Sequence, residues 1–234
     1  MICNKMDNSD IDMSDRSVDW LFGVESLKTE KVLKKKALEK EYAGEKYFYD
    51  DYYTPYAVMR NIMEKIELQP EDVLYDLGSG YGRILFYALF VTKVGRCKGI
   101  ELIPGRVKAA LKAKDVLGLK DVDFVQGNVC EENFEDGTVF FMYNPFGRQT
   151  TKVVVNKLRN IAKRKKIKVI SWGREITDFL NKQKDWLSAE QSIKSNDSGE
   201  VDIIVFESIA DNVFGDYSSA DKITEADGLL EQSI

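Results

Sequence analysis

Apolar and polar positions change period along this chain. From residue 72 onward, short apolar runs alternate with stretches of helical period. The runs VLYDL (73–77), CKGIEL (97–102), VDFVQGN (122–128), TVFFMYNPF (138–146) and KVISWG (168–173) read as strands. Between them, RILFYALFVT (83–92), GRVKAALKAKDVLGL (105–119), a basic stretch over 152–168 and REITDFLNKQKDWL (174–187) read as helices, the second ending at a glycine C-cap. The strands are apolar and β-branched without clean alternation, so they are buried on both faces, as parallel strands are. Repeated β-α-β units predict an α/β fold with a doubly wound, mostly parallel sheet. The last two runs, AEQSIKS (189–195) and VDIIVFESI (201–209), have no helix between them and predict an antiparallel hairpin at one edge.

Upstream, a Lys/Glu-rich helical stretch covers 26–42. An aromatic segment over 42–56 follows, holding six of the eleven tyrosines. Thr54-Pro55 reads as a helix start, with Thr as N-cap and Pro at the first helical position. Val58, Ile62 and Ile66 give that helix its buried face. The expected layout is an acidic, frayed segment over 1–25, a helical and aromatic cap over 26–56, an α/β domain over 57–209 and an acidic tail over 210–234.

Charge refines this layout. The chain has 234 residues and a formal net charge of −5. Residues 1–25 and 207–234 carry −4 and −6, leaving +5 on the body between them. Acidic ends with few aromatics read as solvated tails, or as tails that dock a partner. The stretch 152–168 holds eight Lys/Arg and no acid. With Val154, Leu158, Ile161 and Ala162 on one stripe it reads as an amphipathic helix with a basic outer face, either solvated or touching nucleic acid. A sequence pI near 5.1 argues against avid nonspecific DNA binding. The chain has no histidine, which excludes His-based triads, His metal ligands and His acid/base catalysis. Its three cysteines make neither a zinc pattern nor a disulfide scaffold, so no metal site and a reducing cytoplasm are expected. There is no apolar run of membrane-spanning length and no secretory h-region in the first twenty residues.

The candidate chemistry sits in Asp76-Leu77-Gly78-Ser79-Gly80-Tyr81-Gly82, between a strand and a helix. Ligands of open parallel sheets bind beyond the carboxyl ends of the strands, where this loop lies. A dinucleotide loop spaces its glycines G-x-G-x-x-G so that pyrophosphate rests on the helix N-terminus. In this chain the third glycine comes one residue early and Arg83 takes its place. Asp76, two residues before the first glycine, disfavours a pyrophosphate and favours a cationic ligand. Glu101 ends the next strand, nineteen residues after Gly82, where a carboxylate accepts hydrogen bonds from ribose hydroxyls. An adenosine bearing a positive group fits both acids, as S-adenosylmethionine does. A tight turn with no ligand is the plain alternative.

In that order and spacing, VLYDLGSGYGRI, GIE and FVQGNV resemble the class I (seven-β-strand) S-adenosylmethionine-dependent methyltransferases over about 53–208. The resemblance implies a Rossmann-like seven-stranded sheet in the order 3-2-1-4-5-7-6. By position, Asp76 with Gly78, Ser79, Gly80 and Gly82 lines the methionine end, and Glu101 takes the ribose. Asn128, where the family often has Asp, contacts the adenine amino group, with Val129 beside it. Asn144-Pro145-Phe146-Gly147 partly matches the Asn-Pro-Pro-aromatic motif of amino-group methyltransferases and lacks its second proline. The Asn144 side chain would orient an attacking amine, and Phe146 would stack on a flat substrate or face an alkylammonium. Equally, Asn-Pro can simply start a turn. The aromatic segment followed by Thr-Pro looks most like the protein lysine methyltransferase branch, which implies that Tyr53 and Thr54 fold over the cofactor. A protein lysine is therefore the preferred acceptor. The alternatives are an RNA, DNA or small-molecule acceptor, a methyltransferase-fold binding module, and, remotely, a nicotinamide oxidoreductase.

Overall fold

The structure, a computed structural model, describes residues 15–24, 54–194 and 203–209. The sequence-predicted helix over 26–42, the aromatic segment up to Tyr53 and the acidic tail over 210–234 lie outside the described residues.

The alternating runs fold as predicted in type and order. The strands are β1 (Val73–Leu77), β2 (Arg96–Glu101), β3 (Val122–Gln126), β4 (Val139–Tyr143), β5 (Lys168–Trp172), β6 (Leu187–Ile193) and β7 (Ile203–Ser208). The helices are α1 (Asp15–Leu21), α2 (Tyr56–Ile66), α3 (Arg83–Val91), α4 (Pro104–Leu117), α5 (Arg148–Ala162) and α6 (Arg174–Leu180). The described residues form a seven-stranded sheet in the order β3-β2-β1-β4-β5-β7-β6. Pairs β1–β2, β1–β4, β2–β3 and β4–β5 are parallel. β7 runs antiparallel to both β5 and β6, giving the edge hairpin. Strand order reverses between β1 and β4, so the crevice at a topological switch point opens beyond their carboxyl ends.

Each face of the sheet carries its own core. Leu74, Cys97, Val139, Phe141 and Ile170 pack with α2 and α3 on one side. Tyr75, Leu77, Phe140, Met142 and Val169 pack with α5 and α6 on the other. This two-sided burial is why the strands lack alternation. Helix α3 is nearly apolar throughout, and Ile84, Leu85, Phe86 and Ala88 are all buried, each large side chain contributing about 1.5–3 kcal/mol.

Several boundaries differ from the sequence reading. The Thr-Pro helix start is shifted: α2 begins at Tyr56, Pro55 is the N-cap, and Thr54 makes no cap hydrogen bond. The basic helix ends at Ala162, and Lys168 already belongs to β5, because a turn at 163–165 closes it. Helix α6 stops at Leu180 and not at 187, its end closed by turn hydrogen bonds through Gln183. The acidic N-terminal segment does not fray over 15–24. Val18, Phe22 and Val24 are buried in the core beside α2 and α3.

Candidate active site

β1 delivers Asp76 to its carboxyl end opposite Gly99 of β2, and β2 delivers Glu101 beyond it. Both carboxylates are buried at 6% exposure. Their environments differ. Glu101 accepts the Gly80 amide at 2.8 Å and the Ile103 amide at 2.9 Å. Each of its oxygens keeps a further lone pair. Among the described residues, no hydrogen-bond donor reaches Asp76. Burial first, and the neighbouring Glu101 second, push its carboxyl from 3.8 up to about 8. The same burial, aided by Asp76, drives the Cys97 thiol up to about 12. A buried acid without a donor is what a cationic ligand would satisfy, so the residues present fit the cofactor expected from the sequence.

The glycine loop is held onto β2 from below. The amides of Gly78 and Ser79 both donate to the Ile100 carbonyl, at 2.9 and 3.0 Å. Ser79 is buried, its hydroxyl without a partner in the described structure. Gly78, Gly80 and Gly82 all have positive φ. At Gly78 (φ +98°) a Cβ would stand 2.5 Å from the Pro145 Cβ. The first loop and the end of β4 thus touch at a place only glycine allows.

At that end, Asn144 adopts φ 36°, in the left-handed region, and its amide donates to the Trp172 carbonyl at 3.1 Å. Its side chain lies over Gly173, where any Cβ would run into the carboxamide. Tyr143 and Trp172 pair in register and stack, with centroids 4.0 Å apart and planes 14° from parallel. Phe146 is half-buried and packs against the core cluster on the α5 side of the sheet.

The remaining candidates are mixed. Asn128 is exposed past β3, and its side-chain oxygen already accepts the Cys130 amide at 3.0 Å, leaving one lone pair. The Val129 side chain is core, so only its backbone is available to a ligand. Thr54 is buried, and its carbonyl accepts from Arg83 Nη1 at 3.1 Å. Tyr53 lies outside the described residues. Half of the eight cations over 152–168 meet acids. Arg159 pairs with Asp185, Arg164 with Glu135 at 3.1 Å and Lys166 with Glu207 at 2.5 Å, while Lys157 donates to the Glu132 carbonyl.

Three features escaped the sequence reading. Gly173 and the Tyr143–Trp172 stack follow from the parallel register of β4 and β5, which a single strand pattern does not carry. A glycine immediately after a strand was the available signal for the first. Arg83 and α1 form the third: Asp15 and Asp19 stand one helical turn apart, a spacing that marks a shared face.

Known proteins resemble this chain in sequence and fold. The family model described as "Histone methylation protein DOT1" matches residues 29–185. The chain belongs to this family, which consists of S-adenosylmethionine-dependent methyltransferases with the class I fold. A protein-lysine N-methyltransferase of Saccharolobus islandicus (strain REY15A) is 32% identical over 91 residues, covering 38% of this chain and 56% of that protein. The chain thus spans little more than half the length of that curated relative. A methyltransferase of Aquifex aeolicus, described as SAM dependent, superposes with a TM-score of 0.51 at 16% identity, covering 80% of this chain and 99% of that one, and shares the fold. An RNA methyltransferase from Salinibacter ruber, solved with S-adenosyl-L-homocysteine, gives 0.49 at 27% identity, over 71% of this chain and 99% of that one. Among the described residues no helix is long and apolar enough to cross a membrane, and no His/Cys/Asp/Glu cluster could hold a metal ion.

Proposed function

We propose that this chain transfers a methyl group from S-adenosylmethionine to an amino nitrogen, with a protein lysine as acceptor. The observation that carries the reading is Asp76: a buried acid that no hydrogen-bond donor reaches among the described residues, beside Glu101, at the carboxyl end of β1. The family supports the cofactor, and the name of the archaeal relative supports the acceptor.

Bound cofactor supplies an electrophilic methyl on a sulfonium, a positively charged leaving group. Asp76 offsets positive charge at the methionine end. Glu101 keeps lone pairs for the ribose hydroxyls, and Asn128 offers its remaining lone pair to the adenine amine. Gly78, Ser79, Gly80 and Gly82 let the chain approach without side-chain obstruction. At the end of β4, the Asn144 carbonyl oxygen accepts from the amine N–H, which turns the nitrogen lone pair toward the methyl carbon. Pro145, seated against Gly78, fixes the distance between the two halves. When bound, the cofactor would supply the methyl group and take back the C–S electron pair as the N–C bond forms, and the nitrogen's proton would leave to water or a carboxylate. With no histidine base, alignment supplies much of the acceleration, on the order of 7–11 kcal/mol in well-oriented systems.

The test is incubation of the full chain with methyl-labelled cofactor and whole-cell extract, followed by fractionation. Label recovered as methyl-lysine in protein is the expected result. Label confined to RNA or to small molecules would replace lysine as the acceptor.

A further inference from the structure

Arg83 stands where a dinucleotide loop has its third glycine, yet it is buried at 6% exposure as the first residue of α3. Its Nε donates to Asp19 Oδ1 at 2.6 Å, its Nη2 lies 3.6 Å from Asp15 Oδ2, and its Nη1 donates to the Thr54 carbonyl. The guanidinium also sits 4.4 Å from the centre of the Tyr56 ring. Tyr56 closes the cluster: its hydroxyl donates to Asp19 Oδ1 at 2.9 Å and its amide to Asp15 Oδ1 at 3.0 Å. Both acids belong to α1, whose apolar side is anchored by Val18 and by Phe22 against Tyr56 and Phe90. Helix α1 lies ahead of the family match, which begins at residue 29.

We propose that α1 positions the cofactor loop: Asp15 and Asp19 hold Arg83, and with it the first turn of α3, in the conformation that presents residues 78–82 to the cofactor. The inference rests on the S-adenosylmethionine reading above. The physical reason is the cost of a buried guanidinium without its carboxylates. If α1 releases, Arg83 must leave the interior and takes the start of α3 with it. Gly82, at φ 76°, is the joint next to it. Asp15, Asp19 and Arg83 are therefore positioning residues that act through the loop. Coupling between two sites is reciprocal, so the cofactor must tighten α1 docking by the factor that α1 tightens the cofactor.

The experiment uses the full chain as wild type, as Asp15→Asn/Asp19→Asn and as the milder Asp15→Asn alone. S-adenosylmethionine affinity is read by calorimetry, and α1 amide exchange is followed with and without saturating cofactor. The double variant is expected to bind about tenfold more weakly with unchanged stoichiometry, and the single variant to fall between. Wild-type α1 amides should exchange about tenfold more slowly when cofactor is bound, and this protection should vanish in the double variant. Undiminished affinity in the variants, or α1 exchange indifferent to cofactor, overturns the inference alone. A wild-type chain that binds no cofactor overturns the functional reading and this inference together.

Discussion

The carboxyl ends of β1 and β2 and those of β4 and β5 form two halves of one crevice, built on different physics. The first half is electrostatic. It buries two acids side by side and satisfies Glu101 with backbone amides, while among the described residues no donor reaches Asp76, so its neutral form is favoured until a cation arrives. The second half is steric. Asn144 sits at φ 36° over a glycine, and Pro145 fills the space that Gly78 leaves open. One half is poised by unfavourable charge and the other by shape. In the proposed reaction, the first holds a cationic nucleoside and the second aims a neutral amine.

Gly78→Ala attacks the contact between the halves and should have the largest effect. A Cβ at 2.5 Å from Pro145, at φ +98°, should cost about 3 kcal/mol of stability and lower turnover by more than ~100-fold. Denaturant unfolding and a methyl-transfer assay measure both. Asn144 separates chemistry from binding. Asn144→Gly tolerates φ 36°, so stability should stay within ~1 kcal/mol and calorimetric cofactor affinity should hold, while turnover drops about 100-fold. Equal loss of affinity and turnover would erase the distinction between the halves.

A smaller effect isolates the electrostatic half. The carboxyl of Asp76 lies near 8 in the folded chain against 3.8 ordinarily. Between those values the native state holds a proton that the unfolded chain has lost. This contribution to cofactor-free stability is thus full below about 4 and declines as pH rises toward about 8. Asp76→Asn, neutral at every pH, should match wild type near pH 4 in the cofactor-free state and melt progressively higher than wild type as pH rises toward 8. A melting difference that does not grow with pH would mean Asp76 is not held as described. Smallest of all, Lys152→Glu on the outer face of α5, or Lys163→Glu in the turn that closes it, should shift stability by less than ~0.5 kcal/mol and leave turnover on a protein substrate unchanged.

What the sequence made legible follows the same division. Strand and helix order, the edge hairpin and the pair Asp76 and Glu101 were readable, because two-sided burial and a glycine-rich turn leave local marks. The end of β4 was half-legible. Asn144-Pro145-Phe146 stood out, whereas the stack of Tyr143 on Trp172 meets only through strand register. The acidic N-terminus misled most. Asp15 and Asp19 counted as solubilising charge when averaged over a segment, whereas in space they face a buried arginine 64 residues beyond Asp19. Charge balance says nothing about which charges are partnered. The basic stretch taught the same lesson in reverse, since half of its cations meet acids from distant loops and strands.

The most direct test is a calorimetric titration of S-adenosylmethionine into the wild-type chain and into Asp76→Asn at one pH. If Asp76 answers the cofactor's positive charge, the wild type binds at one site and the variant about 100-fold more weakly, the loss expected when a buried charged hydrogen-bond acceptor is removed from a cation. Equal affinity in the two proteins would contradict that role.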